Sequence, residues 1–150
     1  MKAKLFQLLL ISYLVAFTAT NGLVWKNNLE DAKIQASSEN KRILLVFSGS
    51  DWCRNCILLD REVFSSEEFQ QLADEKLVLV KADFPRKKKN QLSPTQKTIN
   101  GELAKKFNAE GQFPKVVLMD SGEQVELSTG YQQGQEAQFL EQLNTILSHD

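Results

Sequence analysis

Short runs of consecutive apolar residues alternate along the chain with segments whose apolar residues recur every three or four positions. The first pattern is typical of strands buried on both faces of a sheet, and the second of helices that cover a core. Strands are predicted at Ile43–Phe47, Leu77–Ala82 and Val116–Met119, with a weaker fourth around Val125–Leu127. Helices are predicted at Asn28–Ala36, from Trp52 or Cys53 to Val63, from Ser65 to about Ala73, at Thr95–Phe107 and at Glu136–Leu147. This order predicts an α/β fold in which helices flank a central mixed sheet.

Local signals set the expected ends of several elements. Ser37-Ser38-Glu39-Asn40 is typical of a turn after the first helix. Ser65-Ser66-Glu67-Glu68 matches a capping box, with Ser65 as the cap and Glu68 reaching back to it. Residues 83–94 are predicted to form a polar, basic loop.

The first 22 residues have the layout of a secretory signal peptide. Lys2 and Lys4 precede an apolar stretch at residues 5–17, and small residues follow at 18–22. The apolar stretch is short for a membrane span, and a retained N-terminal anchor is the alternative. We therefore expect residues 23–150 to form one exported domain that is periplasmic, or else secreted or membrane-tethered.

Charge argues against nucleic acid as a partner. The whole chain has a net charge of −1, and without Lys2 and Lys4 it has 16 basic and 19 acidic residues, a net charge of −3. Nucleic-acid binding needs a broad basic footprint, which this composition lacks.

The segment S-D-W-C-R-N-C at residues 50–56 contains both cysteines of the chain, Cys53 and Cys56. A zinc site needs about four ligands, and beyond these two thiols the chain offers one histidine, His149, so only a site shared across a dimer stays open. Haem attachment needs a histidine where Ile57 stands, and an iron–sulfur cluster lacks ligands. No metal is therefore expected. A purely structural disulfide here closes a very small loop, worth about 2 kcal/mol.

A redox role fits the pair better. The first cysteine follows a predicted strand and a Ser-Gly-Ser break, and it begins a predicted helix. Backbone N–H groups and the helix field at that end stabilise a thiolate. The two-residue spacing places the second sulfur within disulfide reach, so the pair can switch between dithiol and disulfide.

In this context the chain resembles the thioredoxin superfamily, and within it exported bacterial thioredoxin-like proteins. Four segments carry the resemblance, which covers essentially the whole of residues 23–150. They are I-L-L-V-F-S-G-S-D-W-C-R-N-C at 43–56, V-F-S-S-E-E-F at 63–69, L-V-L-V-K-A-D-F-P-R at 77–86 and Q-F-P-K-V-V-L-M-D at 112–120. The resemblance implies a thioredoxin-like fold and a redox-active disulfide with no organic cofactor.

The resemblance also implies roles for matching residues. Cys53 is expected to be the nucleophile and Cys56 the resolving thiol, while Trp52 packs beside them. Pro114 matches a proline that is cis in the family and faces the cysteines. The backbone of Phe113 would then bind an extended substrate strand. The alternative for Phe113-Pro114 is an ordinary entry into a strand.

One departure from the family concerns proton transfer. Thioredoxins usually carry a buried aspartate six residues before the first cysteine, and here that position is Phe47. Lys81 matches the lysine that often pairs with this aspartate, so we expect it to lack its partner. Slow deprotonation of Cys56 and long-lived mixed disulfides are the expected consequence.

A second departure lies between the cysteines, where Arg54 and Asn55 replace the usual Gly-Pro. A cation at Arg54 favours the Cys53 thiolate and makes the disulfide more oxidising, whereas Asp51 acts in the opposite direction. The alternative is that Arg54 points into solvent and changes little.

The run Arg86-Lys87-Lys88-Lys89 is a short cationic stretch in an otherwise acidic domain. Such runs are usually solvated loops. The functional alternatives are docking to an acidic partner or to a membrane surface.

Together these features predict an exported thiol–disulfide oxidoreductase that reduces or isomerises disulfides in cysteine-containing exported proteins. A dithiol protein, such as a membrane reductant carrier, is the expected electron donor. The choice between reductase and isomerase stays open, because it depends on the reduction potential. The alternative is a non-catalytic binding or chaperone-like module that uses the same groove.

Overall fold

A computed structural model describes residues 22–148. The predicted signal peptide, apart from Gly22, and His149 lie outside the described residues. The strands are β1 (Trp25–Lys26), β2 (Arg42–Ser48), β3 (Leu77–Asp83), β4 (Lys115–Met119) and β5 (Val125–Thr129). The α-helices are α1 (Leu29–Glu39), α2 (Arg54–Leu59), α3 (Glu67–Lys76), α4 (Pro94–Phe107) and α5 (Glu136–Leu147). A π-helical turn (Asp60–Phe64) follows α2, and a short 3₁₀ helix (Lys88–Asn90) follows β3.

The five strands form one mixed sheet in the order β1-β3-β2-β4-β5. Strands β1, β3 and β2 run parallel to one another. Strand β4 pairs antiparallel with β2, and β5 pairs antiparallel with β4. Helices cover both faces of the sheet, which confirms the predicted thioredoxin-like α/β fold. Among residues 22–148, no helix has the length and apolar character needed to cross a membrane.

Strand β2 is buried on both faces, so its alternating side chains contribute to two separate cores. Leu44 and Val46 pack on the side covered by α2, α3 and α5. Leu45 and Phe47 pack on the opposite side, under α1 and α4. Burial on both faces explains why this strand reads as a continuous apolar run.

Helix α1 ends later, and helix α3 is capped by a different residue, than predicted. Helix α1 continues through residues 37–39, and Asn40 ends it in the left-handed conformation (φ 52°), so the chain turns one helical turn later than expected. The cap of α3 is Ser66, whose Oγ accepts from the Phe69 N–H at 3.2 Å. Ser65 instead closes the π-helical turn, since its own N–H donates to the Asp60 carbonyl.

The helix predicted to run to Val63 is interrupted, because α2 ends at Leu59 and the π-helical turn continues the chain. This turn places Phe64 against Trp25, with ring centroids 5.1 Å apart. Trp25 begins β1, which is too short to be recognised from an apolar pattern.

Candidate active site

The cysteine pair lies where β2 ends and α2 begins. The turn after β2 is closed by the N–H groups of Trp52 and Cys53, which donate to the Gly49 carbonyl at 3.1 and 2.8 Å. Cys53 is the N-cap of α2, and its Sγ accepts from the Cys56 N–H at 3.2 Å. Cys53 and Cys56 form a disulfide and are both buried.

Each sulfur of the pair faces a backbone donor. The Cys56 N–H donates to Cys53 Sγ, as described above, and the Gly49 N–H donates to Cys56 Sγ at 3.4 Å. Cys53 retains 7% of its accessible surface and Cys56 retains 2%, so Cys53 is the more accessible residue of the pair. N–H donors at a sulfur stabilise its thiolate, and the more exposed thiol is the one that an incoming disulfide reaches.

Trp52, the residue before Cys53, is held in place by two direct contacts. Its Nε1 donates to the Phe84 carbonyl at 2.7 Å, and its ring meets the Phe113 ring edge-on at 5.3 Å. Phe113 in turn contacts Phe84 at 5.4 Å. This packing requires glycine at position 49, because a Cβ there would lie 2.4 Å from the Trp52 indole.

The Phe113–Pro114 peptide is cis and leads directly into β4. Pro114 is buried and Phe113 is half-buried. The contact between Trp52 and Phe113 brings this loop against the cysteine-bearing turn. The structure therefore brings Phe113, which is distant in sequence, against Trp52, the residue that precedes Cys53.

A buried asparagine that the sequence analysis missed organises the loop before the proline. Asn108 retains 3% of its surface, and its Oδ1 accepts from the Gln112 N–H at 2.9 Å. Its Nδ2 donates to the Gln112 carbonyl at 2.8 Å. The only sequence signal was the turn-type composition of residues 108–111, which indicates a turn but not this pair of bonds.

Asp51 and Arg54, the two residues expected to tune Cys53, have other contacts. The Asp51 carboxylate accepts from the backbone N–H groups of Arg86 and Lys87 and from Asn90 Nδ2, at 2.9 to 3.0 Å. These bonds, that from Arg86 above all, hold the pKa of Asp51 below its usual range. Arg54 is exposed, with a guanidinium nitrogen 3.4 Å from Gln133 Oε1.

Lys81 has a partner, contrary to expectation. Its Nζ lies 2.7 Å from Asp60 Oδ1 and 4.4 Å from the centre of the Trp25 ring. In the strand register Lys81 is paired with Val46, while Phe47 is paired with Ala82. Side chains alternate along a strand, so Phe47 faces the opposite side of the sheet. An aspartate at position 47 would therefore not meet Lys81 in this chain.

The acid beside Lys81 is located on the cysteine-bearing helical segment itself. Asp60 follows Cys56 by one helical turn, and its N–H donates to the Cys56 carbonyl. The side chain of Asp60 is part-exposed, and that of Lys81 retains 22% of its surface. Among residues 22–148, no group of three or more potential metal ligands lies together.

Residues 24–121 match the family described as thioredoxin-like. Over 129 residues the chain is 31% identical to the disulfide bond reductase DsbH of Chlamydia pneumoniae, covering 86% of this chain and 75% of that protein. It is 33% identical over 106 residues to the thiol:disulfide interchange protein DsbD of Campylobacter jejuni strain RM1221, covering 70% of this chain but 16% of that protein. The solved structure of a DsbH oxidoreductase superposes with a TM-score of 0.77 at 26% identity, over 99% of this chain and 96% of that one.

Proposed function

The chain belongs to the thioredoxin-like family and is a thiol–disulfide oxidoreductase, and we propose that it acts after export as a reductase of protein disulfides. The observation that carries the proposal is the Cys53–Cys56 disulfide, which caps α2 beside Trp52 and the cis Phe113–Pro114 peptide. The similarity to a protein named as a disulfide bond reductase favours reduction over isomerisation.

The proposed reaction is thiol–disulfide exchange between the reduced protein and a substrate disulfide. The Cys53 thiolate attacks one substrate sulfur, which forms a mixed disulfide and releases the other sulfur as a thiolate. Cys56 then loses its proton and attacks Cys53 Sγ, which releases the second substrate thiol and leaves the Cys53–Cys56 disulfide. Two electrons pass to the substrate, and a dithiol protein, such as a membrane reductant carrier, would restore them.

Substrate would bind in the groove between the cysteine-bearing turn and the proline loop. We assign contact with the substrate to Trp52, Phe113 and Pro114, because Trp52 directly precedes Cys53, its ring contacts Phe113, and the proline loop leads into β4. An extended peptide can add to exposed backbone in this way, so recognition needs little side-chain specificity. The substrates would be cysteine-containing exported proteins.

Export is part of the proposal and rests on the first 22 residues. Two lysines, a short apolar stretch and a run of small residues stand in the order of a signal peptide. A periplasmic location would place the protein where disulfides form and where a reductase has substrates.

The direction of the reaction is tested by the redox equilibrium of the Cys53–Cys56 pair in glutathione buffers, using protein that begins at residue 23. We expect a reduction potential below about −200 mV, at or below the poise of an oxidising compartment. A double variant, Cys53→Ser with Cys56→Ser, gives the baseline for non-specific thiol reactions. A potential near about −120 mV, that of a strong oxidant, would contradict the reductase assignment.

Removing one charge or the other of the Asp60–Lys81 pair is expected to shift that reduction potential in opposite directions. Asp60→Asn removes a negative charge one turn from Cys56 and leaves the Lys81 cation, which favours thiolate and stabilises the dithiol. We expect the glutathione equilibrium of Asp60→Asn to move about threefold toward the dithiol, which is about 14 mV for a two-electron couple. Lys81→Met leaves the Asp60 carboxylate without its cation and should move the equilibrium toward the disulfide. Shifts of the same sign in both variants would contradict an electrostatic role.

A further inference from the structure

The cationic run Arg86–Lys89, here called the basic loop, lies against the candidate active site. The Arg86 guanidinium stacks on the Trp52 ring, 3.7 Å from its centre. Trp52 directly precedes Cys53 and also donates to the Phe84 carbonyl, two residues before the loop. The basic loop therefore lies next to Trp52, the residue that precedes Cys53.

Asp51 holds the basic loop in this position. Its carboxylate accepts from the N–H groups of Arg86 and Lys87, and Asn90 Nδ2 completes the set. The neighbouring carboxylate, that of Asp83, accepts from the N–H and hydroxyl of Ser50 at 2.9 and 2.6 Å. Asp51 therefore binds backbone and amide N–H groups and Asp83 binds groups of Ser50, and neither carboxylate forms a salt bridge with an ammonium group of the basic loop.

The four cations of the basic loop remain available to a partner. Residues 86–89 are all exposed, and none of the ion pairs found among residues 22–148 includes any of their side chains. Elsewhere many lysines are paired, as Lys33 and Lys106 are with Glu123. Four cations without a salt bridge, next to the turn that carries Cys53, create a local positive potential on a domain whose net charge is −3.

We propose that the basic loop selects substrates in which acidic residues flank the reactive disulfide. This inference rests on the proposed function and names the substrate class of the same site. An acidic flank would meet Lys87, Lys88 and Lys89 while the substrate cysteine meets Cys53. Exposed pairs add little affinity individually, so the main effect is faster and more selective encounter, which salt screens.

The test uses reduced protein and two peptides that each contain one internal disulfide and differ only in four flanking residues, aspartates in one and asparagines in the other. Exchange converts the peptide disulfide to a dithiol and the protein dithiol to the Cys53–Cys56 disulfide, and intrinsic tryptophan fluorescence follows it. At low salt we expect the second-order rate constant to be about fivefold higher for the acidic peptide, with the preference lost near 0.5 M salt.

The deciding variant is Lys88→Gln with Lys89→Gln. It retains the two residues whose N–H groups Asp51 binds and the Arg86–Trp52 stack, so the basic loop keeps its position. We expect its preference for the acidic peptide to fall to less than twofold. The control, Lys76→Gln with Lys105→Gln, removes the same charge from exposed lysines at the end of α3 and in the last turn of α4. It should keep the full preference.

The outcomes separate this inference from the proposed function. If wild-type protein reduces both peptides at equal rates, the proposed function stands and the basic loop has no role in selection. If it reduces neither peptide, the proposed function itself fails. If the preference for the acidic peptide survives in Lys88→Gln/Lys89→Gln, the assignment to an acidic substrate flank is overturned. If that variant keeps the preference and loses binding to anionic-lipid vesicles, the basic loop binds a membrane surface instead.

Discussion

Cys53→Ser is expected to lower the rate of disulfide reduction at least about a thousandfold, because a serine hydroxyl cannot replace the thiolate in exchange. Cys53 is the more accessible cysteine of the pair and caps α2, where the Cys56 N–H donates to its sulfur. The measurement is the reduction of a disulfide substrate by the protein with dithiothreitol as electron source, corrected for the reaction of dithiothreitol alone.

Cys56→Ser is the matched variant, and it should behave differently. The first attack by Cys53 remains possible, but the resolving thiol is absent, so mixed disulfides with substrate accumulate. Mass spectrometry under non-reducing conditions should detect adducts at Cys53 in Cys56→Ser and none in Cys53→Ser. A Cys53→Ser/Cys56→Ser protein that kept full function in cells would instead support a non-catalytic binding module.

Gly49→Ala is expected to destabilise the protein by about 1–3 kcal/mol and to displace Trp52 from the disulfide. The new Cβ would lie 2.4 to 2.7 Å from three atoms of the indole. The indole cannot move away without losing contacts, since its Nε1 donates to the Phe84 carbonyl and its ring packs on Phe113 and Arg86. Overpacking a site of this kind costs about 1–3 kcal/mol. Urea unfolding measures the free energy, and disulfide reduction measures the effect on the site.

Gly101→Ala is the control, because a Cβ at this glycine contacts no neighbouring atom. Gly101 lies inside α4, and nothing lies within 4 Å of a Cβ built there. A glycine in a helix interior is about 0.5–1 kcal/mol less favourable than alanine, so this variant should be slightly more stable with unchanged activity. Equal unfolding free energies for the two variants would contradict the steric account at Gly49.

Most of the fold was predictable from local pattern. Strands β2, β3 and β4 were recognised within one residue at either end, because burial on both faces produces unbroken apolar runs. Helix α5 was predicted with its observed bounds. Strand β1 was missed, since two residues show no periodicity and pair only because β3 offers an edge.

The contacts of the candidate site were less predictable. The sequence indicated the Cys53–Cys56 pair and the Phe113–Pro114 loop, because spacing and composition are visible along the chain. It did not indicate the Asp60 partner of Lys81. That contact depends on a π-helical turn after α2 and on the alternation of side chains along the paired strands. This alternation directs Lys81 toward the turn and Phe47 away from it.

By itself, the sequence determined the α/β architecture and the redox chemistry, since both depend on features within a few residues of one another. The period of the hydrophobic residues determines whether a segment forms a helix or a strand. The two residues between the cysteines keep the two sulfurs close enough to form a disulfide. Only the tertiary structure decided that Arg86–Lys89 lies against the cysteine-bearing turn. That position depends on Asp51 and Trp52, which are distant in sequence and meet the basic loop because parallel strands β2 and β3 end at the same edge of the sheet.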